Sequence, residues 1–438
     1  MLVPLSWLRE LVDIDIPVEL LAERLTLAGL EVSAIRYLGL PQGEVAGVRR
    51  PPADHLVWAR DKILLGAIRE VRAHPNADRL VLAMVDYGGA APEQCVTAAS
   101  NLFACRERGP LDPPLWAPFA MEGAELWDGS SDRPRRIRLQ ERNLRGIPNR
   151  SMVCSEKELG LSDEHEGILL LEHDESHVPG TPLQDVLGDV VLDIELTPNL
   201  ARCFSILGVA REVAALLDKP LRTPPCEMLA QGPPVAGQAA IHIVEPALNP
   251  RFTLALLRDT QVGPSPQWLQ RRLRLVEQRP INNIVDVTNY ITFELGQPLH
   301  AFDYDKLVAR AGGEVPVITT RRARPGETLT TLDGVTRELA AHDIVLEDVA
   351  GILSLGGLIG GAETEIDADT RNVLLAAAHW NFTHPRRTMP SQKVLTDAGL
   401  RLRRGVHPAP APAGRPRRLA LTPPTGRGRT APRPPPPS

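Results

Sequence analysis

Apolar and polar positions change their period several times along the chain, and each change marks a candidate element. In IDIPVELLAERLTLAGLEVSAIRYLGL, residues 14–40, Leu20, Leu21, Arg24, Leu25 and Ala28 follow helical spacing. Pro17 suits the first turn, where a missing N–H leaves nothing unpaired, and Gly29 suits the stop. The pattern predicts a short helix feeding a strand. From Lys62, KILLGAIREVRAHPNADRLVLAMVDYGG reads as two strands around a turn at HPNAD, and short apolar runs with Gly and Pro breaks continue to about Arg145. Serial short strands predict a small barrel, an OB-fold among the possibilities. In MVCSEKELGLSDEHEGILLLEHD, Ser155 and Glu158 stand at capping-box spacing and Gly160 can end the turn. This segment reads as a return to the first domain after the barrel was inserted.

VVLDIELTPNLARCFSILGVAREVAALLDKP predicts a strand, a Pro-Asn turn and a helix with Ile206, Val209, Ala210, Val213 and Leu217 along one face. Residues 222–238, rich in Pro and Gly, read as a linker or loop. Between Ile281 and Leu307 the apolar positions are interrupted by Asn282, Asn283, Asp286, Asn289, Gln297, His300 and Asp303. Burying such groups costs free energy unless each finds a partner, so the run is either a satisfied network or the wall of a site. Asn282, Asn283, Asp286 and Asn289 read as a network tying a helix to its neighbours. After His407 the chain has almost no aromatic or β-branched residues, and such a composition cannot offset the entropy of ordering; disorder is expected.

The length of 438 residues allows two to four domains at roughly 100 to 200 residues each. With 43% hydrophobic and 24% charged residues the composition is globular, and no apolar run approaches the ~18 residues of a spanning helix. The start, MLVPLSWLRELVDIDIP, has no basic region followed by an apolar core, so a cytoplasmic protein is expected. Five cysteines, odd in number and never in C-x-x-C, disfavour a disulfide framework and a zinc site; no metal site is expected. A net charge of -5 gives no global attraction to nucleic acid, so any such contact is local, as at RPRRIRLQERNLRG, residues 133–146. GGLIGGAE at 356–363 lacks the Lys-Ser/Thr of a phosphate loop and reads as a glycine turn that lets a ligand approach the backbone. On spacing alone HPNADRL is a hairpin turn.

SWLRELVDI, HPNADRL, CSEKELGLSDEHEGI, ELTPN with SILGVAREVAAL, RPINNIVDVTNY with GQPLHAFD, LDGV, GGLIGGAETEI and LTDAG follow one another between residue 1 and about 405. Together they resemble the β-subunit family of bacterial phenylalanine-tRNA ligase. The resemblance implies an α+β multidomain chain: a split N-terminal α+β domain at 1–40 plus 151–190, an inserted tRNA-binding OB-like domain at 41–150, an α/β editing domain of the B3/B4 type at 195–405, and a Pro/Arg-rich disordered tail at 406–438. It implies an α-subunit partner in an α2β2 heterotetramer, tRNA(Phe), and ATP and Mg2+ for the whole complex, with neither bound by motifs of this chain. The complex would attach phenylalanine to tRNA(Phe), and this chain would contribute assembly, tRNA contacts and hydrolytic editing of mischarged Tyr-tRNA(Phe). No adenylate site is recognisable, so the isolated chain is not expected to aminoacylate. A non-catalytic tRNA-binding fragment and a free-standing trans-editing hydrolase are the alternatives.

By the same resemblance Arg72, His74, Asn76 and Arg79 would hold tRNA phosphate and ribose. His300 matches the editing histidine, whose neutral imidazole could orient or activate water. Gly360, Ala376, Thr396 and Ala398 would line the substrate pocket, Gly360 leaving room for a ring. Ala376 replaces a family glutamate that would accept a hydrogen bond from tyrosine, so selectivity for tyrosine should be lost. Leu200, Arg202, Arg403 and His407 also replace family residues of different charge. Glu363 reads as a solvated surface residue. The family continues beyond this length with further domains, as expected for a truncated or frame-shifted product.

Overall fold

The fold is taken from a computed structural model that describes residues 1–43, 55–131, 133–224 and 233–406. Cys226, much of the linker read at 222–238, and the tail from His407 on lie outside the described residues. The chain divides into two compact units. One comprises Met1–Ile16, Ala22–Ser33 and the chain from Ile194 on; the other comprises Pro17–Leu21 and Ala34–Asp193. Both mix helices and strands. The first predicted helix forms at Val18–Leu27, and Gly29 ends it at φ 93°, a backbone that residues with a β-carbon rarely adopt.

In the unit containing Ala34–Asp193, the strands read around HPNAD are β1 (Ile63–Ala73) and β2 (Val81–Asp86), paired antiparallel. They continue into β3 (Glu93–Thr97) and β4 (Pro110–Ala120), and a hairpin of β5 (Arg142–Leu144) and β6 (Ile147–Asn149) leads to β7 (Met152–Val153). The sheet order is β7-β4-β1-β2-β3. Its two edges curl towards each other: the Val96 N–H of β3 donates to Asn149 Oδ1 at 2.7 Å, and the Cys95 thiol donates to Ser151 O at 3.4 Å. The barrel is thereby nearly closed around Ile68, Val71, Val81, Val85, Cys95 and Phe119. Burial pushes the Cys95 thiol up to about 12, as befits a packing residue without reactive thiolate. The capping box also forms: Ser155 Oγ accepts from the Glu158 N–H at 3.3 Å, and Glu158 Oε2 accepts from the Ser155 N–H at 2.6 Å.

The other unit includes a short strand, Leu2–Pro4, followed by helix α1 (Leu5–Leu11), and further along the chain α2 (Ile206–Leu217), which Ser205 caps through the Gly208 N–H at 3.0 Å. Two sheets follow. The smaller contains β9 (Arg251–Leu257), β10 (Leu299–Asp303) and β17 (Val373–His379), in the order β9-β17-β10. The larger contains β8 (Ala240–Ile243), β11 (Val317–Arg322), β14 (Ile344–Asp348), β15 (Gly351–Leu355) and β16 (Ile359–Gly360), in the order β8-β11-β14-β15-β16. Between β11 and β14 lies a hairpin of β12 (Thr328–Thr330) and β13 (Thr336–Glu338).

Alternation along the small sheet gives it two buried faces. Phe302, Leu374 and Ala376 pack against Ile318, Ile344 and Leu346 of the large sheet. Ala301, Val373 and Leu375 pack against Ile284 of helix α4 (Asn283–Leu295), which follows α3 (Gln267–Leu275). Much of the polar run is the network that joins α4 to its surroundings. Asn282 caps the helix by accepting from the Ile284 and Val285 N–H groups, and Asn283 Nδ2 donates to Gln261 O at 2.9 Å. Asp286, fully buried, accepts from Ser265 Oγ at 2.5 Å and the Ile281 N–H at 2.8 Å. Further along, Tyr290 stacks on Trp7 at 4.7 Å and donates to Glu294 at 2.7 Å. Asp303 accepts from the Lys306 N–H at 3.0 Å and from Thr370 Oγ1 at 2.6 Å.

Candidate functional site

His300 departs from that network. It shares a face of β10 with Phe302, whose ring it meets edge-on at 4.4 Å and 82°. It therefore faces the space between the sheets. Directly opposite His300 on the central strand β17 is Ala376, and opposite Ala376 on the far side is Leu254 of β9.

Gly360 approaches from the edge strand of the other sheet. A β-carbon there would lie 2.6 Å from His300 Cε1 and 3.0 Å from Nε2, and also 3.0 Å from Leu332 Cδ1. Gly360 is thus required by close approach, not by a left-handed backbone, and part of the room it leaves is filled by the imidazole. Leu332, in the turn between β12 and β13, donates its N–H to Gly360 O at 3.0 Å. Its side chain is exposed beside Gly360. On its own sheet the imidazole is flanked by the apolar Phe302 and Ala376, with Leu254 beyond Ala376. Burial holds the His300 pKa down at about 4, so at neutral pH the ring is uncharged and keeps one nitrogen lone pair.

The remaining predicted pocket residues are joined less directly. Thr396 caps helix α5 (Asp397–Leu402), accepting from the Gly399 N–H at 3.1 Å and donating to Leu358 O at 3.0 Å, two residues before Gly360. Ala398 lies partly exposed in the first turn of α5. Glu363 is exposed and ion-paired with Arg310. His300 and Ala376 therefore stand side by side on one sheet and Gly360 meets His300 from the other, with Thr396 attached through the backbone leading to Gly360. Leu332 is a lining residue that the sequence reading passed over, although the LDGV turn that carries it was visible. Among the described residues, no group of three or more His, Cys, Asp or Glu side chains could hold a metal ion.

The predicted tRNA-binding residues lie on the barrel. His74 is buried; its Nδ1 accepts from the Asn76 N–H at 3.1 Å, which leaves Nε2 to carry the proton and donate to Leu144 O at 3.2 Å. Asn76 Nδ2 donates to Arg145 O at 3.2 Å. These two side chains tie the β1–β2 turn to the β5–β6 hairpin. Arg72 is paired with Glu70 at 2.6 Å, and Arg79 is exposed. Arg133, Arg135, Arg136, Arg138, Arg142 and Arg145 are exposed as well.

A family profile described as "B3/4 domain" matches residues 248–421, a span that includes His300, Gly360 and Ala376. The phenylalanine–tRNA ligase beta subunit of Moorella thermoacetica is 39% identical over 440 residues, covering 99% of this chain and 49% of the relative. That of Salinibacter ruber is 39% identical over 411 residues, covering 92% and 45%. The chain belongs to the phenylalanine–tRNA ligase beta-subunit family. It spans about half the length of these curated relatives. An N-terminal fragment of the phenylalanyl-tRNA synthetase beta-subunit from Pyrococcus horikoshii is similar at 17% identity and a TM-score of 0.26, over 44% of this chain and 56% of that one.

The positions expected to differ in charge from the family have varied surroundings. Arg202 pairs with Glu212 at 2.9 Å, Leu200 is buried, and Arg403 is exposed while its carbonyl accepts from Arg386 Nε at 2.7 Å. His407 lies outside the described residues.

Proposed function

We propose that this chain supplies tRNA contacts and hydrolytic editing to a phenylalanine–tRNA ligase complex, and that the slot between His300, Gly360 and Ala376 is where the ester of a mischarged tRNA(Phe) is cleaved. The carrying observation is the close approach of Gly360 to His300, which sets an uncharged imidazole against a backbone without a side chain, between the edges of the two sheets. Apolar walls take up an amino-acid side chain by burial. The ring nitrogen then holds a water for attack on the ester carbonyl. A base with a pKa of about 4 removes a proton poorly at neutral pH, so orienting the water is the main task of His300.

Ligation itself, with ATP and Mg2+, belongs in this reading to an α-subunit partner within an α2β2 particle, and the isolated chain does not aminoacylate. The nearly closed barrel acts as an OB-type tRNA-binding module, with Arg72, Arg79 and the exposed arginines of 133–145 meeting phosphate, and His74 and Asn76 holding the turn between them. The assembly works in the cytoplasm; no helix among the described residues is long and apolar enough to cross a membrane.

The test is hydrolysis of Tyr-tRNA(Phe) and Phe-tRNA(Phe), with gel-shift binding measured alongside. Cleavage that falls roughly tenfold or more in His300→Ala while tRNA binding persists is the expected result. A second reading rests on Ala376, which offers a ligand no polar group: the chain binds tRNA without cleaving it. Binding without cleavage by wild type establishes that reading. Cleavage without the α subunit marks a free-standing editing activity.

A further inference from the structure

Ser354 lies in β15, only 5% exposed, and directly faces Gly360 on one side and Leu346 on the other. Side chains directly opposed across antiparallel strands project to the same face. Leu346 on that face packs with Phe302, Leu374 and Ala376, so Ser354 also points into the space between the sheets. The Gly361 N–H donates to Leu353 O at 2.8 Å, which makes the adjacent Ser354–Gly360 pair the close, non-hydrogen-bonded kind, with Cα atoms about 4.5 Å apart.

The two sheets approach each other at His300 and Gly360, each on an edge strand. One strand further in stand Ala376 on one sheet and Ser354 on the other. Among the described residues no hydrogen bond engages the Ser354 hydroxyl. Thr320, opposite Leu346 on the same face, donates to Asn249 Oδ1 at 3.4 Å. The Ser354 oxygen is not fully enclosed, so a polar atom of a ligand between the sheets can reach it and supply a hydrogen bond.

We propose that Ser354 is a specificity-determining residue of the slot, whose hydroxyl hydrogen-bonds a polar atom at the far end of the ligand side chain, as in the phenol of a tyrosyl group. Ala376 cannot make that contact. The inference rests on the editing reading for the reaction but not for the ligand class, and binding separates the two.

The probes are tyrosinamide and phenylalaninamide, which cannot undergo ester hydrolysis, titrated by NMR into wild type, Ser354→Ala and His300→Ala, together with cleavage of both aminoacyl-tRNAs. Circular dichroism confirms folding of each variant, and the Ser-to-Ala change adds no volume. The expected result is a preference of wild type for tyrosinamide of roughly three- to tenfold, the worth of one neutral hydrogen bond, lost in Ser354→Ala with phenylalaninamide unaffected. Cleavage through His300 whose Tyr-to-Phe ratio is unchanged by Ser354→Ala overturns the role of Ser354 and leaves the editing reading standing. Tyrosinamide selectivity that depends on Ser354, without cleavage of either tRNA, does the reverse. Absence of both binding selectivity and cleavage selectivity overturns the role of Ser354.

Discussion

Adding one carbon to Gly360 is the sharpest perturbation of the slot. Its φ lies outside the left-handed region, so alanine meets no backbone penalty, only the 2.6 Å and 3.0 Å contacts with His300 and the 3.0 Å contact with Leu332. Carbon atoms rest at about 3.5 to 4.0 Å, so the imidazole must retreat by about 1 Å. Phe302, 4.4 Å away edge-on, limits that retreat. Overpacking of this kind costs about 1 to 3 kcal/mol, and displacing a reacting group by about 1 Å can cost on the order of 10²-fold in rate. Gly360→Ala should therefore lower Tyr-tRNA(Phe) cleavage by one to two orders of magnitude and shift the His300 imidazole resonances. Gly263→Ala, whose added carbon meets nothing within 4 Å, serves as the control and should behave as wild type. If Gly360→Ala cleaves within about threefold of wild type with unchanged His300 resonances, the glycine does not set the imidazole and the reasoning fails.

Ala376→Glu should place a carboxylate beside His300 and raise the Tyr-to-Phe cleavage ratio by roughly 10- to 100-fold, the range of a charge-assisted hydrogen bond; an unchanged ratio in paired single-turnover assays would show that position 376 does not face the ligand. Asp286→Ala leaves the Ser265 hydroxyl and the Ile281 N–H without their acceptor and should destabilise the unit holding α4 by about 2 to 4 kcal/mol, read as faster amide exchange in α4; a loss below about 1 kcal/mol would mean that water replaces the carboxylate. His300 and His384 both have pKa values lowered by burial to about 4, from an ordinary 6.5, so between those values the unfolded chain binds more protons than the folded one. Stability should hold above that window and fall as pH drops through it, by roughly 1 to 2 kcal/mol for each histidine near pH 5, and His300→Gln should remove part of the slope in urea titrations at several pH values.

What could be read from the sequence was what short stretches determine for themselves. The strands around HPNAD, the Ser155–Glu158 box, α2 and the helix stopped by Gly29 each carry their period and their cap within about twenty residues, and all of them form. Asn282 and Asp286 also resolve locally, as cap and clamp of one helix. Gly360 was legible as a place of close approach, but the group that approaches it is His300, sixty residues earlier and in a different sheet, which no local pattern encodes. Ser354 left no trace, because a serine amid apolar strand residues matters only through the strand beside it. Thr396 shows the opposite problem: LTDAG carries a local capping pattern, and the structure uses the Thr396 hydroxyl for that cap and for Leu358 O.

The slot lies at the fore-edge of what behaves mechanically like a book. Its covers are the two sheets and its spine is the packed layer of Ile318, Leu346, Phe302 and Leu374. At the fore-edge, among the described residues, β10 has β17 and β16 has β15 as its one ladder neighbour, so no ladder hydrogen bond joins the two covers there. Compliance at the mouth is thus governed from the spine: a cavity-forming change such as Leu346→Ala would alter how long a side chain stays between the covers, though Leu346 lies outside the set of residues argued to hold it.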